Sequence, residues 1–165
     1  MTKTFDSFNN FYKHIEKINS KHVEYTKLAL IFSAEILEKE AKDKIAHPQN
    51  SEGQFKAWEE LAESTKKDKE RSGYVINADY NPLYRTGELK DSIHAMSEGN
   101  HLFLGSKSEI MKFQEFGTAY IPPRSVIGLT MHQFLAQGNY IFGEMLVKWL
   151  SDLPLNLRRK THGSL

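Results

Sequence analysis

The sequence predicts an α+β fold: a long N-terminal helix, a small antiparallel β-sheet with a hairpin, and a C-terminal amphipathic helix packed on the sheet. Three observations predict it. Leu30, Ala34, Leu37, Ala41 and Ile45 recur at spacings of 4, 3, 4 and 4, which places them on one helix face. Ser92–Ser97 and His101–Gly105 are strand-like runs flanking Glu98-Gly99-Asn100, a turn sequence tolerant of positive φ, and read as a hairpin. Beyond Thr130, residues Met131, Phe134, Leu135, Gly138, Ile141, Phe142, Met145, Leu146, Trp149 and Leu150 return to 3–4 spacing.

Taken in order, residues 5–46 read as helical, with a break near Asn19-Ser20. Phe5, Phe8, Phe11, Tyr12, Ile15 and Ile18 form an aromatic amphipathic segment, part of which is expected to meet a neighbouring subunit. Glu35→Lys39, Glu38→Lys42 and Glu40→Lys44 are i,i+4 pairs worth about 0.2–0.5 kcal/mol each, marking an exposed face. His47-Pro48 ends the helix, and Pro48–Gly53 is a loop. A short helix is expected around Trp58, Leu61 and Ala62, then a solvated charged run from Lys66 to Gly73, then a short strand between Tyr74 and Asn81. In Leu83-Tyr-Arg-Thr-Gly-Glu-Leu89, Thr86 is placed to cap a short helix, Gly87 permits a tight turn into it, and Leu89 and Ile93 pin it to the core. Past the hairpin, Ser106 and Glu109 have capping-box spacing for a helix running through Phe116 and closed by Gly117. Val126–Leu129 is a further strand candidate, and Thr130 with Gln133 is a second capping box opening the last helix. The chain thus reads as one domain over 1–154, with an N-terminal helical extension over about 1–46 and a basic flexible tail over 155–165.

Composition narrows the function. A net charge of +1 argues against a freestanding nucleic-acid binder. The absence of cysteine excludes disulfides and thiolate metal sites and fits a reducing compartment. The polar start Met-Thr-Lys-Thr-Phe-Asp lacks the core of a secretion signal, and the longest apolar run, Leu28–Phe32, is too short to span a bilayer. A cytosolic protein without membrane partners is expected.

The sequence carries no phosphate-binding glycine loop, nucleophile elbow or zinc-helix motif. His94 and His101 lie beside the hairpin turn, without a carboxylate pair at ligand spacing; His14 and His22 are two helical turns apart. No catalytic residue, metal or cofactor is expected, and the chain does not read as an enzyme. What remains is a docking surface. Phe113-Gln-Glu-Phe-Gly-Thr-Ala-Tyr-Ile-Pro-Pro-Arg124 holds aromatics, a reversing Gly117 and a Pro122-Pro123 pair that stiffens an extended segment. Glu115 reads as a surface residue of the last helical turn. Arg124 is expected to project and to contact a carboxylate or phosphate in bidentate fashion, while Arg85 reads equally as an exposed anchor or a solvated side chain.

Leu83…Thr86-Gly87-x-Leu89-x-x-Ser92-Ile93, Gly105-Ser106, Glu115-Phe116-Gly117-Thr118 and Ile121-Pro122-x-Arg124-x-x-x-Gly128 occur here in one order. Together with Trp58-x-x-Leu61-x-x-x-Thr65 and the following Lys66 or Lys69, they resemble the tail-completion and virion-morphogenesis proteins of tailed bacteriophages. These are the small neck proteins of the HK97 gp10-like and Mu G-like groups. The resemblance spans roughly residues 58–150 and implies a non-catalytic structural protein of the virion neck, present in the host cytoplasm during assembly. Its implied partners are itself, as a homo-oligomeric ring, the adjacent head–tail connector and tail proteins, and DNA in transit without sequence recognition. The residues it points to for docking are Arg85, Thr86, Gly87, Leu89, Phe113, Glu115, Phe116, Gly117, Thr118, Tyr120, Pro122, Pro123 and Arg124. Arg158, Arg159 and Lys160 are candidates for contact with DNA or an acidic partner. The alternative reading is a nucleic-acid-binding accessory protein of phage assembly, using Lys66–Arg71 and the tail.

Overall fold

The computed structural model describes residues 4–137 and 139–151 and has the expected α+β architecture. Its axis is α1 (Phe8–Lys44), a helix of 37 residues, about 55 Å long at 1.5 Å per residue. Ser7 caps it, its hydroxyl accepting from Asn10 N at 3.2 Å. The expected break at Asn19-Ser20 is absent. Ser20 Oγ donates to Lys17 O at 2.8 Å, so the polar side chain folds onto its own helix instead of interrupting it.

The stripe Leu30, Ala34, Leu37, Ala41 and Ile45 is buried throughout. It serves two apolar clusters, one around Ala41, Ile45, Trp58, Ile93, Met111 and Val126, the other around Ala29, Leu37, Phe134 and Ile141. Leu104 packs against both. Of the three surface pairs, Glu38–Lys42 forms at 2.7 Å, whereas Lys39 turns to Asp43 at 2.8 Å. Lys44 is buried, and burial holds its amine below the usual lysine value.

β1 (Ile93–Glu98) and β2 (His101–Ser106) pair antiparallel from Ile93↔Ser106 to Glu98↔His101, joined by Gly99-Asn100 with Gly99 at φ +57°. Period-2 alternation turns Ile93, Ala95, Leu102 and Leu104 toward the interior and leaves Met96 and Phe103, a direct cross-strand pair, exposed. Two strands alone are marginal in water, and here α1 covers one face. Glu38 adds a polar link, its carboxylate accepting from Ala95 N at 2.9 Å.

Three expectations fail locally. Residues around Trp58 are irregular; the helix is instead α2 (Glu63–Arg71), built on the charged run. Two of its cations are paired, Lys66 with Glu63 and Glu60 and Arg71 with Asp68. No strand forms between Tyr74 and Asn81, because asparagine side chains capture that backbone. Asn77 Oδ1 accepts from Asn81 N, Asn81 Oδ1 accepts from Asn77 N, and Tyr80, Asn81 and Leu83 all have positive φ. Val126–Leu129 is not a strand either, since α5 (Ile127–Gln137) begins there.

Short helices α3 (Glu88–Asp91) and α4 (Glu109–Phe116) flank the hairpin. Ser108, not Ser106, precedes α4, and Ser106 Oγ accepts from Ser108 N at 3.1 Å. The final apolar pattern comprises α5 and α6 (Asn139–Leu150), with Gly138 outside the described residues. Thr130 does not cap. It lies buried within α5, its Oγ1 donating to Val126 O at 2.7 Å, and Gln133 donates to Glu52. Trp149 Nε1 donates to Ile18 O at 2.6 Å and anchors α6 to α1. Leu135, Leu146 and Leu150 are exposed, so the stripe is narrower than its periodicity suggests.

The Lys42 ammonium first, and then the Ala95 N–H, hold the Glu38 carboxyl below its ordinary value of 4.5. A depressed carboxyl stabilises the fold above its unfolded value, and that contribution is lost as pH falls through the folded one. Urea midpoints of wild type and Glu38→Gln should therefore differ most above about pH 5 and converge in more acidic buffer. A gap that stays constant down to strong acid would contradict the link.

Candidate functional site

The two motifs meet in one open cleft of about 690 Å³. One wall comes from α2, the loop after it and α3. Lys69, on the inner side of α2, is buried and donates from Nζ to Asn81 O at 2.8 Å and Tyr84 O at 2.5 Å. This holds the left-handed loop around Asn81, whose Nδ2 donates to Tyr74 O at 2.6 Å. Burial, and secondarily the Arg85 charge, keep the Lys69 amine below its usual value. Arg85 is an anchor within the chain: it pairs with Asp68 at 3.1 Å and lies over the Tyr74 ring at 5.1 Å. Gly87, at φ +97°, is the N-cap of α3, which has no side-chain cap; Thr86 lies exposed on the cleft wall. Leu89 is half-buried between cleft and core.

The opposite wall is α4 and the segment Gly117–Arg124. Gly117 has φ 72° and ψ 178°, a conformation open essentially to glycine alone, and a Cβ there would lie 2.9 Å from Ile121 O. Thr118 closes the turn beyond it: its N donates to Ile121 O at 2.8 Å, and its Oγ1 accepts from Tyr120 N and Ile121 N. Tyr120 therefore stands 95% exposed on a hydrogen-bonded loop. Pro122 lines the cleft and Pro123 faces out.

Glu115 and Arg124 depart furthest from their sequence reading. Glu115 is not a surface residue. Its carboxylate accepts from Val126 N (2.8 Å), Ile127 N (2.9 Å), Gly128 N (2.7 Å) and Ser125 Oγ (2.5 Å), capping α5 from another helix. This is why a helix replaces the expected strand at Val126. Gly128 is needed as well, since a Cβ there would lie 2.9 Å from Glu115 Oε1. Arg124 does not project. It is buried, its N donates to Gln114 O at 2.6 Å, and Nη2 donates to the Glu59 and Glu60 carbonyls at 3.0 and 3.4 Å. It thereby ties the two walls together. Burial pushes its guanidinium below the usual value, and Nε is buried without an acceptor.

Arg85, Thr86, Gly87, Leu89, Tyr120, Pro122 and Arg124 thus share the cleft, while Phe113 and Phe116 form an exposed apolar face on α4 outside it. Arg158, Arg159 and Lys160 lie outside the described residues. Sequence reasoning missed Lys69, Gln114 and Ile110 in the lining, and Asn81 in the loop that Lys69 holds behind it. Lys69 is indistinguishable in sequence from its solvated neighbours; Asn81-Pro82 was the one available turn signal.

Among the described residues no histidine lines the cleft. Among the described residues no group of three or more His, Cys, Asp or Glu could hold a metal ion, and His94 faces Gly105 while His101 faces Glu98. Among the same residues no helix is long and apolar enough to cross a membrane. The chain matches no protein-family model, and neither curated proteins nor solved structures give a match.

Replacing Gly117 by Ala should lower stability by about 1–3 kcal/mol in urea unfolding, because the backbone must leave its glycine-only region. Glu115→Ala should cost a similar ~1–3 kcal/mol by stranding the α5 N–H groups, with Glu115→Gln losing less. An unchanged midpoint for Glu115→Ala would show that water replaces the cap.

Proposed function

We propose that this chain is a structural virion protein of a tailed phage, acting in tail completion and head–tail joining as a ring at the neck through which DNA passes. The motif resemblance suggests the class. One geometric observation carries it further: each subunit has two separated and unlike surfaces that expose apolar side chains. The cleft, with exposed Ile110 and Tyr120 in its lining, packs beside the Ala41–Ile45 end of α1. Phe8, Phe11, Tyr12 and Ile15 are exposed at the other end, about 40 Å away along the helix. A head-to-tail ring requires two unlike surfaces per subunit, and exposed apolar patches of this kind mark association sites.

In this reading the protein has no catalytic role. Its near-neutral charge suits a channel that lets DNA pass without gripping it. The alternative DNA-binding role draws little support from α2, where carboxylates already pair with Lys66 and Arg71.

Mass spectrometry of purified virions should find this chain in a fixed small multiple relative to a known tail component, retained on neck-bearing particles. Its absence from mature particles would overturn the proposal and favour an accessory role.

A further inference from the structure

Lys69 and Arg124 are both more than nine-tenths buried, at 7% and 6% exposure, and both line the cleft. Their hydrogen-bond partners are all neutral: the carbonyls of Asn81 and Tyr84 for Lys69, and of Glu59 and Glu60 for Arg124. A cation withdrawn from water is normally matched by an anion, since carbonyl dipoles replace only part of its hydration. Here the match is incomplete. An ammonium has three N–H donors, of which Lys69 uses two. Among the described residues Arg124 Nε has no acceptor. Two buried cations, each with a donor unsatisfied among the described residues, therefore belong to the lining of one open cleft.

The mouth of the cleft selects among anions. Glu59, Glu60 and Glu88 line it and are exposed, Glu60 being paired with Lys66 at 3.3 Å, while Arg85 is already paired with Asp68. A phosphate dianion would pass three carboxylates on its way in. A single carboxylate with uncharged or basic neighbours meets less repulsion and the same buried cations. Ile110 and Tyr120, at 57% and 95% exposure, stand on the same rim. A small free acid leaves them wet, whereas a polypeptide covers them.

We propose that the cleft receives a carboxylate carried on a partner polypeptide, with Lys69 and Arg124 as the cationic floor and Ile110 and Tyr120 packing the flanking residues. The partner segment is an acidic residue set among apolar and basic ones. This deepens the docking role proposed above and rests on it for the biological setting. No bond is made or broken; the step is desolvation of a carboxylate against two cations that are already desolvated, so the protein is preorganised for it.

The test follows the Arg124 Nε–Hε resonance of the full ¹⁵N-labelled chain by NMR, assigned through bonds from its backbone amide so that no variant is needed. Four probes are titrated at constant ionic strength: blocked Ala-Leu-Glu-Lys-Tyr, the same peptide with Gln for Glu, sodium acetate and inorganic phosphate. The Glu peptide should move the resonance saturably and bind at least about tenfold more tightly than the Gln peptide. Tyr120→Ala should weaken the Glu peptide and leave acetate unchanged. Equal response to the Glu and Gln peptides, or no movement at millimolar concentration, would sink the inference. Phosphate binding more tightly than the Glu peptide would reassign the site to phosphate, and acetate matching it would reassign the site to free acids; either overturns the proposal. Particles containing the chain alongside a silent cleft would refute this inference and leave the neck role standing. A responsive cleft in a chain absent from particles would do the reverse.

Discussion

The rest of the structure depends on burying one stripe of α1. A two-stranded sheet has too little surface to stand alone, and α2, α3 and α4 are too short to persist in water without tertiary support. Leu37 and Ala41 on the stripe are fully buried, and β1, β2, α5 and α6 all pack against the helix that carries them. Small residues at 29, 34 and 41 let the hairpin and the C-terminal helices approach closely. Because the stripe feeds two clusters that meet at Leu104, the hairpin is clamped from both ends of its inner face.

On that frame, a few polar side chains do the shaping. Glu115 supplies the N-terminal charge that starts α5 in mid-domain. Arg124 holds the 59–60 backbone to the α4 loop. Lys69 and the Asn77–Asn81 pair hold a loop whose backbone includes three non-glycine residues at positive φ. Each is a long-range or loop-closing bond made by a buried or half-buried group, where an unmade partner is expensive. The cleft is therefore cross-linked by hydrogen bonds on both walls, and such preorganisation reduces what association must order.

This division of labour connects the fold to the proposed docking role. Hydrophobic burial along α1 sets the separation between the aromatic N-terminal surface and the cleft. Hydrogen bonds set the local shape of the cleft, and the glycine-only turn at Gly117 presents Tyr120 at its rim. A subunit with two unlike surfaces near opposite ends of one helix suits the proposed repeating assembly.

The sequence by itself determined what is periodic and local. The 3–4 spacing of the α1 stripe, the Glu98-Gly99-Asn100 turn between alternating strands and the Gly117 stop each follow from rules acting within a few residues. Of the site, it marked out the two motifs that form the walls, and Gly87 and Gly117 within them. Only the tertiary structure decided the rest, because the deciding partners lie far away in the chain. Val126–Leu129 is apolar enough for a strand and becomes helical because a carboxylate from α4 satisfies its N–H groups. Arg124 looks like a surface arginine until carbonyls some sixty residues earlier draw it inside. Lys69 sits in a run of charges and is singled out by burial alone. A single side chain's burial and its long-range hydrogen-bond partner have no periodicity, so they leave no trace in the local pattern.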